Sequence, residues 1–399
     1  MPKWLGNLGH AFKSRCGSTG NLVDLENAIS NLQRAVELTP HGHPGMPSLL
    51  NNLGNAFESR FGRTGDLTDL ENAISKNQCA VELTPHDHPG MPLGLNDLGC
   101  AFHARFNRTG DLADLENAIS SLQHAIELTP YGHVDMPSWF NNLGNAFESR
   151  FGRTGDLADL ENAISNLQLA IELTPHGHPG MPGGLNDLGF AFHARFDRTG
   201  DLADLENAIS NLQRAVELTP HGHPEMHIWL NNLGLSLKCR FGRTANLADL
   251  ENAISNLQRA VELTPHGHPF VLGQYNNLGY AFQSRFTRTG DLADLENAIS
   301  NLQHAVELTP HGHPIIPAHL NNLGSAFESR FGHTGDLADL ENAISNLQRA
   351  IELTPHGHAD MPQRLTYLGH SWHQYFQHTQ NLEHRDKAIS AYRLSATHI

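Results

Sequence analysis

Apolar residues recur along the chain at three- and four-residue steps, in two stripes that return at a constant interval. In the second of these repeating segments, residues 46–90, one stripe runs from Pro47 to Phe61 and includes Leu53 and Phe57, which fall on one side of a helix. The next stripe includes Ile74 and Val81, again with helical spacing. The pattern predicts two amphipathic helices in each repeating segment, helix A followed by helix B.

Turn and capping residues separate the two stripes. Gly62 and Gly65 follow helix A and predict its end, because glycine adopts the left-handed conformation that closes many helices. Asp66, followed three residues later by Asp69, predicts an N-terminal cap for helix B. Pro85 predicts the end of helix B, since proline disfavours helical geometry in the residue before it.

The dipeptide Leu-Gly returns every 45 residues without a slip. Its leucines are Leu8, Leu53, Leu98, Leu143, Leu188, Leu233, Leu278, Leu323 and Leu368. A fixed period of this size is typical of arrays whose units cannot bury their apolar faces alone. The sequence therefore predicts an all-α fold, a right-handed α-solenoid of nine helix-turn-helix repeats that forms one domain over residues 1–399. The predicted repeats are 1–45, 46–90, 91–135, 136–180, 181–225, 226–270, 271–315, 316–360 and 361–399.

The third repeat resembles the tetratricopeptide (TPR) signature. It matches at Leu95, Leu98, Gly99, Phe102, Ala118, Leu122, Ala125 and Pro130. The 45-residue repeat with Leu-Asn-Asn-Leu in helix A and His-Pro in the loop is similar to the kinesin-light-chain class of these repeats. It is similar, too, to fungal arrays that accompany NTPase (NLR-like) or CHAT protease modules. The resemblance implies a TPR-like superhelix that binds other proteins, with the sensor arm of a larger receptor as a further expectation.

Composition narrows the range of partners. The chain has 26 Lys and Arg against 42 Asp and Glu, a formal net charge of −16, so nucleic acid and anionic membranes are not expected as partners. No apolar run is long enough to span a membrane. The 4 cysteines form no CxxC pair or paired framework, which favours a reducing, cytoplasmic compartment.

Helices A of stacked repeats usually line the concave surface, where this architecture holds its ligands. An amide or carboxylate precedes the Leu of the Leu-Gly dipeptide in repeats one to eight, and related arrays grip peptides with such a ladder. The predicted ladder is Asn52, Asp97, Asn142, Asp187, Asn232, Asn277 and Asn322. A carboxamide both donates and accepts, so a row of them suits a peptide main chain. The alternative is that these side chains bond to neighbouring helices. A second row of asparagines, from Asn51 to Asn321 at the position before the ladder residue, lies on the same side of helix A.

A further set of positions on helix A varies between repeats while its neighbours do not. The predicted specificity residues are Asn55, Glu58, His103, Asn145, Glu148, His193, Lys238, Tyr280, Gln283 and Glu328. Variation confined to one face is expected of a specificity surface, and relaxed constraint on an exposed surface gives the same pattern. Repeats two and four share one version of helix A and repeats three and five another, which indicates duplication in blocks of two repeats.

Histidine pairs such as His41 and His43 recur in the loop before helix A. His-x-His can supply two ligands to zinc or nickel, but no cysteine or fixed carboxylate completes a coordination shell, so no metal site is predicted. The arginines that end helix A, such as Arg60, are predicted to form exposed salt bridges with carboxylates of the Asp66 and Glu71 type.

The sequence contains no Walker A, HExxH or GxSxG motif, so neither an enzyme nor a cofactor is predicted. The expected function is a protein-interaction scaffold that binds a partner peptide or protein segment in its groove. The alternative is a passive spacer that self-associates end to end through uncapped termini. A catalytic module on chain outside these residues and a metal buffer are weaker alternatives.

Overall fold

A computed structural model of the chain describes residues 1–265 and 267–397. Over these residues the chain forms 18 helices and no strand. Helix A and helix B alternate along the chain with a 45-residue interval, so the predicted all-α array of nine helix pairs is confirmed. The chain divides into two compact units, Met1–Gly200 and Asp201–Ile399, which are described separately below.

Odd-numbered helices are helices A and even-numbered helices are helices B. The first unit contains α1 (Pro2–Thr19), α2 (Leu22–Leu38), α3 (Met46–Thr64), α4 (Leu67–Leu83), α5 (Met91–Thr109), α6 (Leu112–Glu127), α7 (Met136–Thr154), α8 (Leu157–Leu173) and α9 (Met181–Thr199). The second contains α10 (Leu202–Leu218), α11 (Met226–Thr244), α12 (Leu247–Leu263), α13 (Val271–Thr289), α14 (Leu292–Leu308), α15 (Ile316–Thr334), α16 (Leu337–Glu352), α17 (Met361–Thr379) and α18 (Leu382–Thr397).

The predicted end of helix A was one turn too early. Gly62 lies inside α3, and the helix ends at Gly65, whose φ of 72° is left-handed and whose N–H bonds to the carbonyl of Phe61. Among the described residues only two non-glycine residues adopt this conformation, Ala245 after α11 and Gln380 after α17. The left-handed residue closes helix A wherever the chain turns into helix B.

Helix B begins and ends where the sequence predicts. The side chain of Asp66 accepts a hydrogen bond from the N–H of Thr68, so the first turn of α4 is capped. The helix ends at Leu83, and Thr84 then adopts an extended conformation ahead of Pro85.

Each Leu-Gly dipeptide marks a close approach of helix A to helix B of the same repeat. A Cβ atom added to Gly99 would lie 2.7 Å from Cγ of Leu122 and 3.1 Å from the carbonyl oxygen of Ala118. Real Cβ atoms do not approach other atoms so closely, so a side chain there would push the two helices apart. The period of the array is thus fixed by a packing contact that only glycine allows.

Repeat two departs from this packing at one core position. Asn77 occupies the place of Leu122 in the next repeat and is 0% exposed. Neither its amide nitrogen nor its amide oxygen has a hydrogen-bond partner. A buried amide without partners is unfavourable, so this repeat carries a local defect.

The predicted partners of the helix A arginines were wrong. Arg60 bonds to both carboxylate oxygens of Asp69, at 2.9 and 2.5 Å, and Asp69 is buried. Asp66 is used as the helix cap, and Glu71 is exposed. Asp69 lies within the first turn of α4, where its buried carboxylate meets Arg60, whereas Asp66 precedes the helix and bonds to its first turn. The same clamp joins Arg15 to Asp24, Arg105 to Asp114, Arg150 to Asp159, Arg240 to Asp249, Arg285 to Asp294 and Arg330 to Asp339.

Within each unit every helix packs against the next one along the chain. Successive helices A also contact one another, whereas successive helices B within the described part of each unit do not. A stack whose A helices lie closer together than its B helices curves toward the A side. Helices A therefore occupy the inner side of each unit.

Candidate partner-binding face

The helix A face is the side of the odd-numbered helices that carries Asn52, Asn55, Glu58 and their equivalents at 45-residue steps. All seven residues of the predicted ladder are partly buried on this face. In the second row, Asn51, Asn96 and Asn186 are buried, so that row is less accessible than the ladder. Asn141, Asn231, Asn276 and Asn321 of the second row are partly buried, as the ladder residues are, so the ladder is the row that stays accessible in every repeat from two to eight.

In the first unit, one carboxylate links two repeats. Oδ2 of Asp97 on α5 accepts hydrogen bonds from the amide nitrogens of Asn51 and Asn55 on α3, both at 2.7 Å. The same arrangement recurs two repeats later, since Oδ2 of Asp187 accepts from Asn141 and Asn145, both at 3.1 Å. In both places one carboxylate oxygen thus joins two amides of the preceding helix A.

Three ladder asparagines donate to the second row of the preceding repeat. Asn142 donates to Oδ1 of Asn96 at 3.0 Å. In the second unit, Asn277 donates to Asn231 at 3.0 Å and Asn322 to Asn276 at 2.9 Å. Each amide nitrogen has two hydrogens and uses one in this link. Bonding to neighbouring helices and binding a peptide are thus compatible in the same side chain.

The specificity positions of the first unit carry two unusual glutamates. Burial and the nearby charge of Asp97 raise the pKa of Glu58 to about 7, while Lys13 opposes this shift. Burial and the charge of Asp187 raise the pKa of Glu148 to about 7. Both glutamates therefore change charge near neutral pH.

The histidines at these positions differ from the glutamates. Nε2 of His103 lies 2.8 Å from the hydroxyl of Ser149, and burial lowers the pKa of His103. His193 lies 3.7 Å from the carboxylate of Asp197, one turn along α9. Each histidine is thus held against a polar neighbour.

In the second unit these positions form a different surface. The ammonium group of Lys238 lies 3.7 Å from the ring centre of Tyr280, a cation–π contact. The amide nitrogen of Gln283 lies 3.3 Å from the hydroxyl groups of both Ser325 and Ser329. The variable residues are therefore linked from one helix A to the next.

Glu328 and Asn232 complete the predicted set in this unit. The carboxylate of Glu328 is hydrogen-bonded to the ring of His370 and accepts from Ser371 at 3.3 Å. Asn232 is partly buried on α11. The carboxylate of Glu328 is thus bonded to α17 of the next repeat.

A cavity of about 760 Å³ opens on the helix A face of the second unit. Five of the predicted site residues line it: Lys238, Asn277, Tyr280, Gln283 and Asn322. Asn276 and Asn321 of the second row line it as well, whereas the sequence did not identify Arg288, Arg364 and Tyr367 as residues of its wall. Arg288 resembles the loop arginines of other repeats, and Arg364 and Tyr367 belong to the divergent ninth repeat, so no pattern marked them.

The loop histidines have a structural role. Nδ1 of His43 accepts the backbone N–H of Gly45 at 3.0 Å, and His88, His133, His178, His223, His268, His313 and His358 make the same bond two residues on. One ring nitrogen of each is thereby occupied at the start of helix A. His266, from one predicted pair, lies outside the described residues.

Comparison with known proteins identifies the fold. No protein family profile and no curated protein matches the chain. The alternating helix pairs make it a TPR-like α-solenoid. A human IFIT1 dimer with m7Gppp-AAAA superposes with a TM-score of 0.50 at 15% identity, covering 97% of this chain and 80% of that one.

Two solved TPR structures match shorter parts of the chain. A Podosopora anserina putative kinesin light chain with nearly identical TPR-like repeats has a TM-score of 0.40 at 14% identity, covering 54% of this chain and 97% of that one. A thermophilic TPR protein of Thermus thermophilus has a TM-score of 0.41 at 17% identity, covering 58% of this chain and 99% of that one. TPR-like folds generally mediate protein interactions. Among the described helices, none combines the length and apolar character that crossing a membrane requires.

Proposed function

We propose that this TPR-like array is a protein-interaction scaffold that holds an extended segment of a partner protein against its helix A face. The observation that carries the proposal is the 760 Å³ cavity of the second unit, whose wall combines five predicted site residues. Ladder amides reach it from α13 and α15, two consecutive helices A. A partner segment lying there would meet the same chemistry at each repeat.

The chemistry of the wall suits a peptide main chain. Asn277 and Asn322 each keep one amide hydrogen and an acceptor oxygen beyond the link to the preceding repeat. A peptide in extended form presents alternating N–H and C=O groups that such amides can pair. Tyr280 and Tyr367 add aromatic surface, which contributes much of the binding energy at protein interfaces.

The proposal is tested by selecting displayed random peptides on the full chain and measuring the affinity of a selected peptide by fluorescence polarisation. We expect the double variant Asn277→Ala with Asn322→Ala to bind about tenfold more weakly or worse. The matched control is Asn256→Ala with Asn301→Ala, since these partly buried asparagines donate within their own helices B. Equal affinity of both variants and the wild type, or selection of no peptide, would reject the helix A face as the binding surface.

A further inference from the structure

One helix A position changes from a large aromatic residue to glycine between repeats. Along the chain this position is Trp4, Leu49, Gly94, Trp139, Gly184, Trp229, Gln274, His319 and Arg364. Trp139 and Trp229 are almost fully buried, at 3% exposed each. The array thus builds a place for an indole ring at this position and leaves it without a side chain in repeats three and five.

The tryptophans show what fills the place. The ring of Trp139 stacks on His133 with centroids 5.5 Å apart and an angle of 16°. Trp229 stacks on His223 at 4.9 Å and 25°, and it belongs to a core cluster against which Val216 of the preceding helix B packs. A loop histidine and an aliphatic residue of helix B therefore both lie at the place of the indole, the aliphatic residue being Val216 before Trp229 and Ile126 before Trp139.

Repeat three keeps both of these neighbours and lacks the ring. His88 stands where His133 and His223 stand, and its Nδ1 accepts the N–H of Gly90, the bond that holds the other two histidines. A Cβ atom built on Gly94 would lie 3.4 Å from Cγ2 of Val81, the counterpart of Val216. That is ordinary van der Waals contact, so the space would accept a side chain.

A cavity of about 570 Å³ opens at this point in the first unit. Its lining includes Gly94, His88, Thr84, Ala80 and Leu93. Most of these residues present carbon or an imidazole face, as an aromatic binding site requires. The cavity lies between the start of α3 and the start of α5, at one end of the helix A face.

A buried acceptor without a donor lies in the same wall. Asn51 lines the cavity and is 9% exposed, and its amide nitrogen is fixed by the carboxylate of Asp97. Its amide oxygen has no hydrogen-bond partner. An indole N–H donates and cannot accept, so it would supply what this oxygen lacks.

We propose that the cavity at Gly94 binds an indole, presented as a tryptophan side chain by the partner protein. The indole stacks on His88 and contacts Val81, in the place that Trp139 fills from within the chain in repeat four. This deepens the proposed function by naming a residue of the partner. It does not require peptide capture on the ladder, because a free indole derivative reports on the cavity alone.

The probe is N-acetyltryptophanamide, titrated into the full chain carrying ¹³C-labelled methionine methyl groups. The methyl group of Met46, which lines the cavity, reports binding. We expect a saturable shift of its signal, and no saturation with N-acetylleucinamide. In Gly94→Trp the signal should no longer respond, whereas the matched variant Gly184→Trp in repeat five should respond as the wild type does. An equal response from Gly94→Trp and the wild type, or none from the wild type, would overturn the assignment.

A reciprocal variant keeps the test decisive if Gly94→Trp folds poorly. Trp139→Gly empties the equivalent place in repeat four and should lower the thermal midpoint, as the loss of a buried aromatic ring does. N-acetyltryptophanamide should then raise that midpoint more than it raises the wild-type midpoint, since apolar cavities made by truncation take up the missing group. No such difference would count against the assignment at Gly94, since the equivalent place beside His133, where helix B carries Ile126 instead of Val81, would then not hold a free indole.

Discussion

Replacing Asn77 by leucine should stabilise the second repeat. The change restores the residue that seven of the other repeats carry opposite the Leu-Gly glycine, as Leu122 does in repeat three. The partner glycine, Gly54, is already present, so the leucine meets the same surface as in the neighbouring repeats.

Two contributions set how much Asn77→Leu should raise the free energy of opening this repeat. A buried polar group without a partner costs about 1–3 kcal/mol, and Asn77 has both a donor and an acceptor in this condition. Full burial of a leucine contributes about 1.5–3 kcal/mol relative to leaving it exposed. Since such contributions are not additive, we expect a net stabilisation of about 3 kcal/mol for the opening of this repeat.

Hydrogen exchange measured by mass spectrometry is the appropriate assay, because repeat arrays open locally and a single unfolding transition does not isolate one repeat. Exchange in α3 and α4 should slow in Asn77→Leu. The control Lys76→Asn restores the neighbouring consensus residue and should change little. Leu122→Asn should open α5 and α6 by a comparable amount. Faster or unchanged exchange of α4 in Asn77→Leu would refute the view that the buried amide is a defect.

Three further predictions concern charge and backbone strain. The raised pKa of Glu58 means that the folded state binds its proton more tightly than the unfolded state does. Ionisation of Glu58 therefore lowers the free energy of unfolding as the pH rises from about 4.5 to about 7. Urea unfolding should show the Glu58→Gln variant to be about 3 kcal/mol more stable than the wild type at pH 8 and equally stable at pH 4. Asp69→Asn removes the carboxylate that pairs with Arg60 and should lower the free energy of unfolding by about 2–3 kcal/mol. An unchanged thermal midpoint would show that this ion pair does not stabilise the repeat. Ala245→Gly relieves a left-handed alanine with φ of 56° and should raise the midpoint of the second unit, by about 1 kcal/mol in stability, whereas a lower midpoint would show no strain there.

The fold could be predicted because every level of the sequence agrees with it. The Leu-Gly interval, the cap at Asp66 and the proline after helix B each fix one boundary, and the observed helices begin and end within about one turn of the predicted positions. The error at Gly62 arose because glycine is tolerated inside a helix, whereas only the left-handed position at Gly65 requires one.

The contacts of the candidate face could be predicted only in part. The sequence placed the ladder on helix A, but it could not show that Asp97 takes two donors from α3, because that depends on side chains 42 and 46 residues apart. The choice of Asp69 over Asp66 as the arginine partner is a matter of one helical turn. The empty place at Gly94 becomes visible only once Trp139 is seen to fill its equivalent.

The arginine–aspartate clamps close within a repeat, whereas the amide links run from one repeat to the next. In a one-dimensional array these are the two separate quantities that set cooperativity, the intrinsic stability of a unit and its coupling to a neighbour. Dissolved salt screens the charged clamps, although only in part because each aspartate is buried, and leaves neutral amides nearly untouched. Raising the ionic strength should therefore lower the stability of each helix pair, while the number of neighbouring repeats that unfold together stays the same.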